Sequence, residues 1–146
     1  MIRPAEARDL DNLVRLEDAA FPGDRLDRRA FRHALGSATI DMLVAEEGGA
    51  FLGYVQLQRR TGSALARLTS VAVAAEAAGK GVGRELMSAA EDLARAKGCD
   101  RIRLEVRADN DRARQLYTRT GYRQFARVDD YYEDGEAALR FEKSLT

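Results

Sequence analysis

Three glycines at alternate positions, Gly79, Gly81 and Gly83, stand between the apolar stretch Leu68–Val73 and an amphipathic run that begins at Arg84. Glycine reaches positive φ without strain and lets the backbone approach a ligand closely. A helix that starts at once after such a turn has N–H groups in its first turn with no partner inside the helix. With the positive end of the helix dipole, they form a seat for an anion, most often phosphate or pyrophosphate. A Walker A loop would need Ser or Thr after the lysine, and Lys80 is followed by Gly81. A dinucleotide fingerprint would need glycine at the position held by Arg84. Neither fits. A turn with no ligand is the competing reading of these glycines.

The elements that must position this turn follow from periodicity. Met1–Ala5 reads as a short edge strand, with Pro4 suited to a strand end. Asp9 is a candidate cap for a helix to about Ala20, with Leu10, Leu13, Val14 and Glu17 on one face. Phe21-Pro22-Gly23-Asp24 breaks that helix. Asp27 can cap a second, with Leu26 and Phe31 at staple spacing. Asp41–Glu46 and Phe51–Arg60 flank Glu47-Gly48-Gly49, a hairpin signal, and Thr61-Gly62-Ser63 turns the chain into a strand over Ala64–Val73. After the glycine turn, Val82, Leu86, Ala90, Leu93 and Ala94 form a helix face that stops at Gly98. Arg101–Arg107 alternates as a strand, with Ile102, Leu104 and Val106 on one side and Arg101, Arg103, Glu105 and Arg107 on the other. Asn110 can cap a further helix carrying Ala113, Leu116, Tyr117 and Thr120 on one face, ended by Gly121. Arg123–Tyr132 and Ala137–Ser144 read as a last hairpin around Glu133-Asp134-Gly135-Glu136, with Ala137–Ser144 a possible sheet edge, solvated or paired with a second copy. The order β-αα-βββ-α-β-α-ββ implies an α/β (α+β) sandwich, a mixed and mostly antiparallel sheet of about seven strands flanked by helices. The chain, 1–146, reads as one domain.

Composition narrows the class. Lys plus Arg and Asp plus Glu number 24 each, so nothing suggests a nucleic-acid or membrane partner. The single cysteine, Cys99, excludes an internal disulfide and is expected to be buried. The single histidine, His33, is expected to be a surface or packing residue. The N-terminal stretch carries acids and no apolar core of a signal peptide, and a cytoplasmic enzyme without a metal is the expectation.

The segment Ala78-Gly79-Lys80-Gly81-Val82-Gly83 resembles the Arg/Gln-x-x-Gly-x-Gly/Ala loop with which Gcn5-related N-acetyltransferases (GNAT) hold the pyrophosphate of acetyl-CoA. Ala78 departs from the pattern, removing one polar side chain but no backbone donor, so somewhat weaker cofactor binding is expected. The element order resembles the GNAT fold throughout the chain. The set Leu104-Glu105-Val106-Arg107-Ala108-Asp109-Asn110, Leu116-Tyr117, Gly121-Tyr122 and Tyr131-Tyr132 resembles the branch of ribosomal-protein alanine N-acetyltransferases. The resemblance implies roles. Val71, Ala72 and Val73 would lie along the pantetheine arm, with a backbone N–H near Val73 polarising the thioester carbonyl. Gly79, Lys80, Gly81, Val82, Gly83 and Arg84 would hold the pyrophosphate, and Asn110 the arm. Glu105 would be the general base through water, Tyr117 the general acid, and Tyr131 and Tyr132 would enclose the acceptor.

Acetyl transfer needs a neutral amine and a proton for the leaving sulfur. An α-amine with a pKa of about 8 is partly neutral near pH 7, whereas a lysine needs about 3 kcal/mol more to deprotonate. A carboxylate base therefore suits a protein or peptide N-terminus. A well-placed Cys or His nucleophile is lacking, so direct transfer in a ternary complex is expected. Read without the resemblance, Glu105 is an ion-pair partner of Arg103 and Arg107, Tyr117 is core packing, Arg84 is solvated, and one of the two adjacent tyrosines faces inward. Two other functions stay open. One is a small-amine acetyltransferase, with Asp129, Asp130, Glu133 and Asp134 as a polyamine-type acidic cluster. The other is a CoA-binding module without turnover. The acceptor, the acyl length and the choice between monomer and homodimer stay open too.

Overall fold

The computed structural model describes residues 1–20 and 26–146; the helix break expected at Phe21–Asp24 lies outside the described residues. A seven-stranded sheet is built from β1 (Ile2–Pro4), β2 (Ile40–Glu47), β3 (Ala50–Arg59), β4 (Leu65–Val73), β5 (Arg101–Arg107), β6 (Arg123–Val128) and β7 (Ala138–Ser144). Its spatial order is β1-β2-β3-β4-β5-β7-β6. Among the described residues only β4 and β5 run parallel. The helix between them, α3 (Val82–Ala96), makes the crossover that a parallel pair requires.

One face of the sheet carries α3 and α4 (Asp111–Arg119). Its core contains Leu57, Leu68, Leu86, Met87, Ile102, Leu104, Tyr117 and Phe141. The other face carries α1 (Leu10–Ala20) and α2 (Arg28–Leu35), packed over β2, β3 and β4. Leu13, Phe31, Val44 and Tyr54 are fully buried there, and the Phe31 and Tyr54 rings meet edge to face at 5.6 Å. Such a ring pair contributes about 1 kcal/mol beyond its buried area. Over β5, β7 and β6 the same face has no helix among the described residues. On that face stand Arg103, Glu105, Arg107, Arg140 and Glu142, joined in ion pairs.

Local rules explain most boundaries. Asp27 caps α2 by accepting from Ala30 N–H at 2.8 Å, and Asn110 caps α4 by accepting from Ala113 N–H at 3.1 Å. Gly48 and Gly49 both take positive φ, as a tight two-residue hairpin requires. Asp9 behaves otherwise than expected. It sits in a short 3₁₀ turn, Ala7–Asp9, before α1, and accepts from Glu6 N–H at 2.7 Å. Both its oxygens also take Arg3 at 2.8 Å, because Arg3 on β1 is near enough to compete for them. Arg3 also donates to Glu46 on β2 at 2.7 Å, tying the N-terminal strand to the sheet.

Two expectations at the C-terminal end are corrected. Strand β6 stops at Val128, so Tyr131 and Tyr132 lie in the β6–β7 loop rather than in a strand. Their N–H groups turn back to Glu136 O, and Asp130 takes φ +53. Ala138–Ser144 is not an edge either: β7 pairs with β5 on one side and β6 on the other. The sheet edges are β1 and β6.

Gly53 on β3 is the position where the sheet leaves least room. A Cβ there would stand 2.6 Å from Ala72 O and 3.2 Å from Leu86 Cδ1. Gly53→Ala is expected to lower stability by about 2 kcal/mol or more in urea unfolding, since backbone has to move. The Arg3 cluster predicts acid sensitivity. Hydrogen bonds from Arg3 hold the carboxyls of Asp9 and Glu46 below their ordinary values. Folded values below unfolded ones contribute stability above about pH 4 that is lost as pH falls. Unfolding measured from pH 7 to pH 3 should show a shallower acid loss in Arg3→Met than in the wild type.

Candidate active site

The site begins with a defect in strand pairing. Leu57 pairs with Leu68 and Gln56 with Ser70, so Thr69 is an extra residue in β4. A bulge of this kind bends the strand that carries it. Pairing of β4 with β5 runs from Leu65↔Arg101 to Leu68↔Leu104 and stops there. Beyond it, β4 pairs only with β3, and β5 only with β7. The two parallel strands thus open into a gap toward their C-terminal ends.

Which backbone groups face the gap follows from the ladder. Ala74 N–H donates to Leu52 O at 2.8 Å. Antiparallel partners bond at alternate residues, so Ala72 also turns its N–H and C=O to β3, while Val71 and Val73 turn theirs into the gap. On β5, Ala108 N–H donates to Ala137 O at 2.9 Å. The same alternation turns Glu105 and Arg107 toward β4. Of the three residues expected to act through their backbone, Val71 and Val73 face the opening; Ala72 is bonded to β3 and buries its methyl against α1 and α2.

The glycine turn closes one end of the gap. A short 3₁₀ turn, Ala75–Ala77, leads from β4 into it, and Gly79 and Gly81 adopt φ of +80° and +79°. Gly81 is the N-cap of α3 and has no side chain with which to cap it, so the first-turn N–H groups stay available. Gly83 is a packing position: a Cβ there would meet Leu116 Cδ2 at 3.4 Å and Val73 Cγ2 at 3.6 Å. That is how α3, α4 and the end of β4 come together. Lys80 and Arg84 are exposed beside the turn, and Ala78 is exposed before it.

Four expected residues converge near the gap. Glu105 is partly buried, and its proximity is the leading cause of a raised Tyr131 pKa. Its cationic neighbours are not Arg103 and Arg107. Arg103 pairs with Glu142, and Arg107 with Asp109 and Asp134, because β7 and the β6–β7 loop bring those acids alongside. The guanidiniums at Glu105 belong to Arg67 on β4, 3.4 Å from Oε1, and to Arg140 directly opposite on β7, 4.0 Å from Oε2. Arg107 also lies over the Tyr132 ring at 4.9 Å, fixing the loop to β5. The Tyr131 and Tyr132 rings stand edge to face at 5.1 Å.

Tyr117 is 5% exposed and packs against the rings of Tyr122 and Phe141. Burial raises its phenol pKa well above the ordinary tyrosine value, with the nearby Tyr132 adding to the effect. It therefore stays protonated and can act as a proton donor. Burial is also the leading cause of the raised pKa of Tyr132, with Glu105 second. Asn110 uses its Oδ1 to cap α4. His33 is exposed and Cys99 is buried, as expected. Thr69, Arg67 and Arg140 escaped sequence reading: a bulge leaves no mark in the alternation, and the register that brings the two arginines to Glu105 is set by strand order.

The profile of the acetyltransferase (GNAT) family matches residues 10–122. The chain belongs to that family. It is similar to an uncharacterized N-acetyltransferase of Methanocaldococcus jannaschii, 32% identical over 145 residues, covering 95% of this chain and 88% of the relative. It is also similar to the N-alpha-acetyltransferase RimI of Mycobacterium tuberculosis, 32% identical over 127 residues, covering 85% and 78%. The crystal structure of the ribosomal-protein-S18-alanine N-acetyltransferase of Escherichia coli superposes with a TM-score of 0.88 at 23% identity, covering 100% of this chain and 94% of that one. The protein is thus an N-acetyltransferase of the GNAT fold, an enzyme acting on amines, and the expected family and fold hold.

In this GNAT enzyme Gly81 carries both the turn and the start of α3. Gly81→Ala forces a side chain into the left-handed region and should cost about 1 kcal/mol of stability. Paired thermal and urea unfolding of the two proteins measures it.

Proposed function

We propose that the enzyme transfers acetyl from acetyl-CoA directly to the N-terminal α-amine of a protein or peptide. The observation that carries this reading is the opening between β4 and β5. A linear arm bearing amide groups fits a gap lined by the N–H and C=O of Val71 and Val73, much as an added strand would. The pyrophosphate end of the same molecule fits the glycine turn and the first-turn N–H groups of α3, with Lys80 and Arg84 alongside. Asn110 stands at the far side of the gap, at the start of α4. Bound there, acetyl-CoA would supply an activated acetyl group on a good leaving thiol.

The residues of this chain do the rest. The Val73 N–H, aimed into the gap, polarises the thioester carbonyl. Glu105 takes the amine's proton, directly or through one water, as the nitrogen attacks. Tyr117 gives its proton to the departing sulfur. Tyr131, 49% exposed and near Glu105, borders the acceptor, while the half-buried Tyr132 backs it. An α-amine is the acceptor that asks least of a carboxylate base. The N-alpha-acetyltransferases among the relatives support the same choice.

The polyamine alternative draws less support. Of the acids that could form a cationic-substrate site, Asp134 holds Arg107 and Asp129 holds Arg127.

Steady-state kinetics with an N-terminal peptide test the assignment. Glu105→Gln and Tyr117→Phe should each lower kcat by about 10²-fold or more, with CoA affinity by calorimetry nearly unchanged. The raised value of Tyr117 predicts no alkaline fall in kcat from this group below about pH 10. Full activity in both variants would remove these roles, and CoA binding with no acetylation of any amine would leave a binding module.

A further inference from the structure

The charges around Glu105 are uneven, and the unevenness has a direction. Among the described residues, Arg67 and Arg140 have Glu105 as their only acidic partner, at 3.4 and 4.0 Å. Two cations therefore share one carboxylate. The side chain of Arg67 is 41% exposed and that of Arg140 is 35% exposed, so N–H donors on both stay open to solvent. The next charges along β5 are balanced on one side and reversed on the other. Arg103 has Glu142, while Arg107 is bracketed by two acids, Asp109 and Asp134. The helix-free face is polarised, with excess positive charge at Arg67 and Arg140 and excess negative charge at the Arg107 end.

Two aromatic rings border the positive end. Phe125 on β6 is 47% exposed, with Arg103 at 5.0 Å and Arg140 at 6.0 Å from its centroid. Tyr131 stands near Glu105, whose charge acts on its phenol. The rings limit where Arg140 can swing and give an incoming chain a flat surface. When Glu105 takes a proton it loses its charge, and both guanidiniums are left without an anion at the moment of transfer. An acceptor that brings its own carboxylate replaces that anion.

We infer that the enzyme selects acceptors carrying a carboxylate within about one residue of the amine, a peptide N-terminus with Asp or Glu at its second position, through Arg67 and Arg140. This rests on the acetyl transfer to an α-amine proposed above. A polyamine or a peptide with Lys or Arg at its second position meets the same two guanidiniums and is disfavoured.

The test is a panel of otherwise identical peptides with Glu, Gln or Lys at position two, together with free alanine, whose carboxylate is its own α-carboxyl. The expected kcat/KM for the Glu peptide exceeds that for the Lys peptide by about tenfold at low salt, and the ratio shrinks as salt rises. In Arg67→Gln/Arg140→Gln the ratio falls toward one. In Arg140→Glu, checked for folding by thermal unfolding and CoA calorimetry, it reverses. Turnover of free alanine matching that of the Glu peptide assigns the carboxylate to a small acceptor; a much slower rate assigns it to a peptide. Equal rates across the peptides, or preference for Lys, overturns this inference alone. Acetylation of none of the panel removes the α-amine reading as well.

Discussion

The proposed function of this fold depends on two parallel strands that fail to stay paired. One extra residue, Thr69, bends β4 away from β5 after four residue pairs. Backbone N–H and C=O groups are obligatory hydrogen-bonding groups, and a strand that stops pairing leaves them for water or a ligand. Here they are left beside the N-terminus of α3, where further N–H groups lack partners. In the proposed function this one local irregularity joins a slot for an extended arm to a seat for an anion, with Glu105 and Tyr117 at the end of the slot. The rest of the sheet holds the opening in shape. Gly53 lets β3 run close under the end of β4, and Gly83 lets α3 approach Val73 and Leu116.

The two halves of the face opposite α3 are stabilised differently, and this matters for the chemistry. Over β2, β3 and β4, α1 and α2 bury an apolar cluster. Glu17, Tyr54 and Ser70 are hydrogen-bonded within that half, and Glu17 also accepts from Leu26 N–H at 2.8 Å. Over β5, β7 and β6, solvent reaches a lattice of arginines and acids. Exposed ion pairs contribute little to stability. What they do is fix side chains in place: the bidentate hold of Asp134 on Arg107 anchors the loop that carries Tyr131 and Tyr132. A face of this kind stays accessible to an acceptor while its charges keep defined positions.

In the proposed mechanism Tyr117 and Glu105 keep a proton donor and a proton acceptor apart. Tyr117 is enclosed by Tyr122 and Phe141, and burial keeps its proton on. Glu105 lies on the wetter side of the strand, between guanidiniums and a phenol. The two sit on opposite sides of β5, which is the arrangement needed if one accepts a proton from the incoming amine and the other donates to the outgoing sulfur.

Much of this was legible in the sequence. The period-two alternation of Arg101–Arg107 gave β5 its true limits, and the caps Asp27 and Asn110 and the glycines at 48, 49, 98 and 121 marked real boundaries. These are local signals, readable because a few neighbouring residues determine them. The glycine turn was found the same way, through spacing along the chain, whereas Glu105, Asn110 and Tyr117 were singled out as site residues by the resemblance to the acetyltransferase family. What the sequence could not decide was everything that depends on which strand lies beside which. The insertion of β7 between β5 and β6, the capture of Asp9 by Arg3, the bulge at Thr69 and the exchange of Arg103 and Arg107 for Arg67 and Arg140 at Glu105 all come from pairing between distant segments. A strand's own residues fix which way its side chains point; only its neighbours fix what they meet.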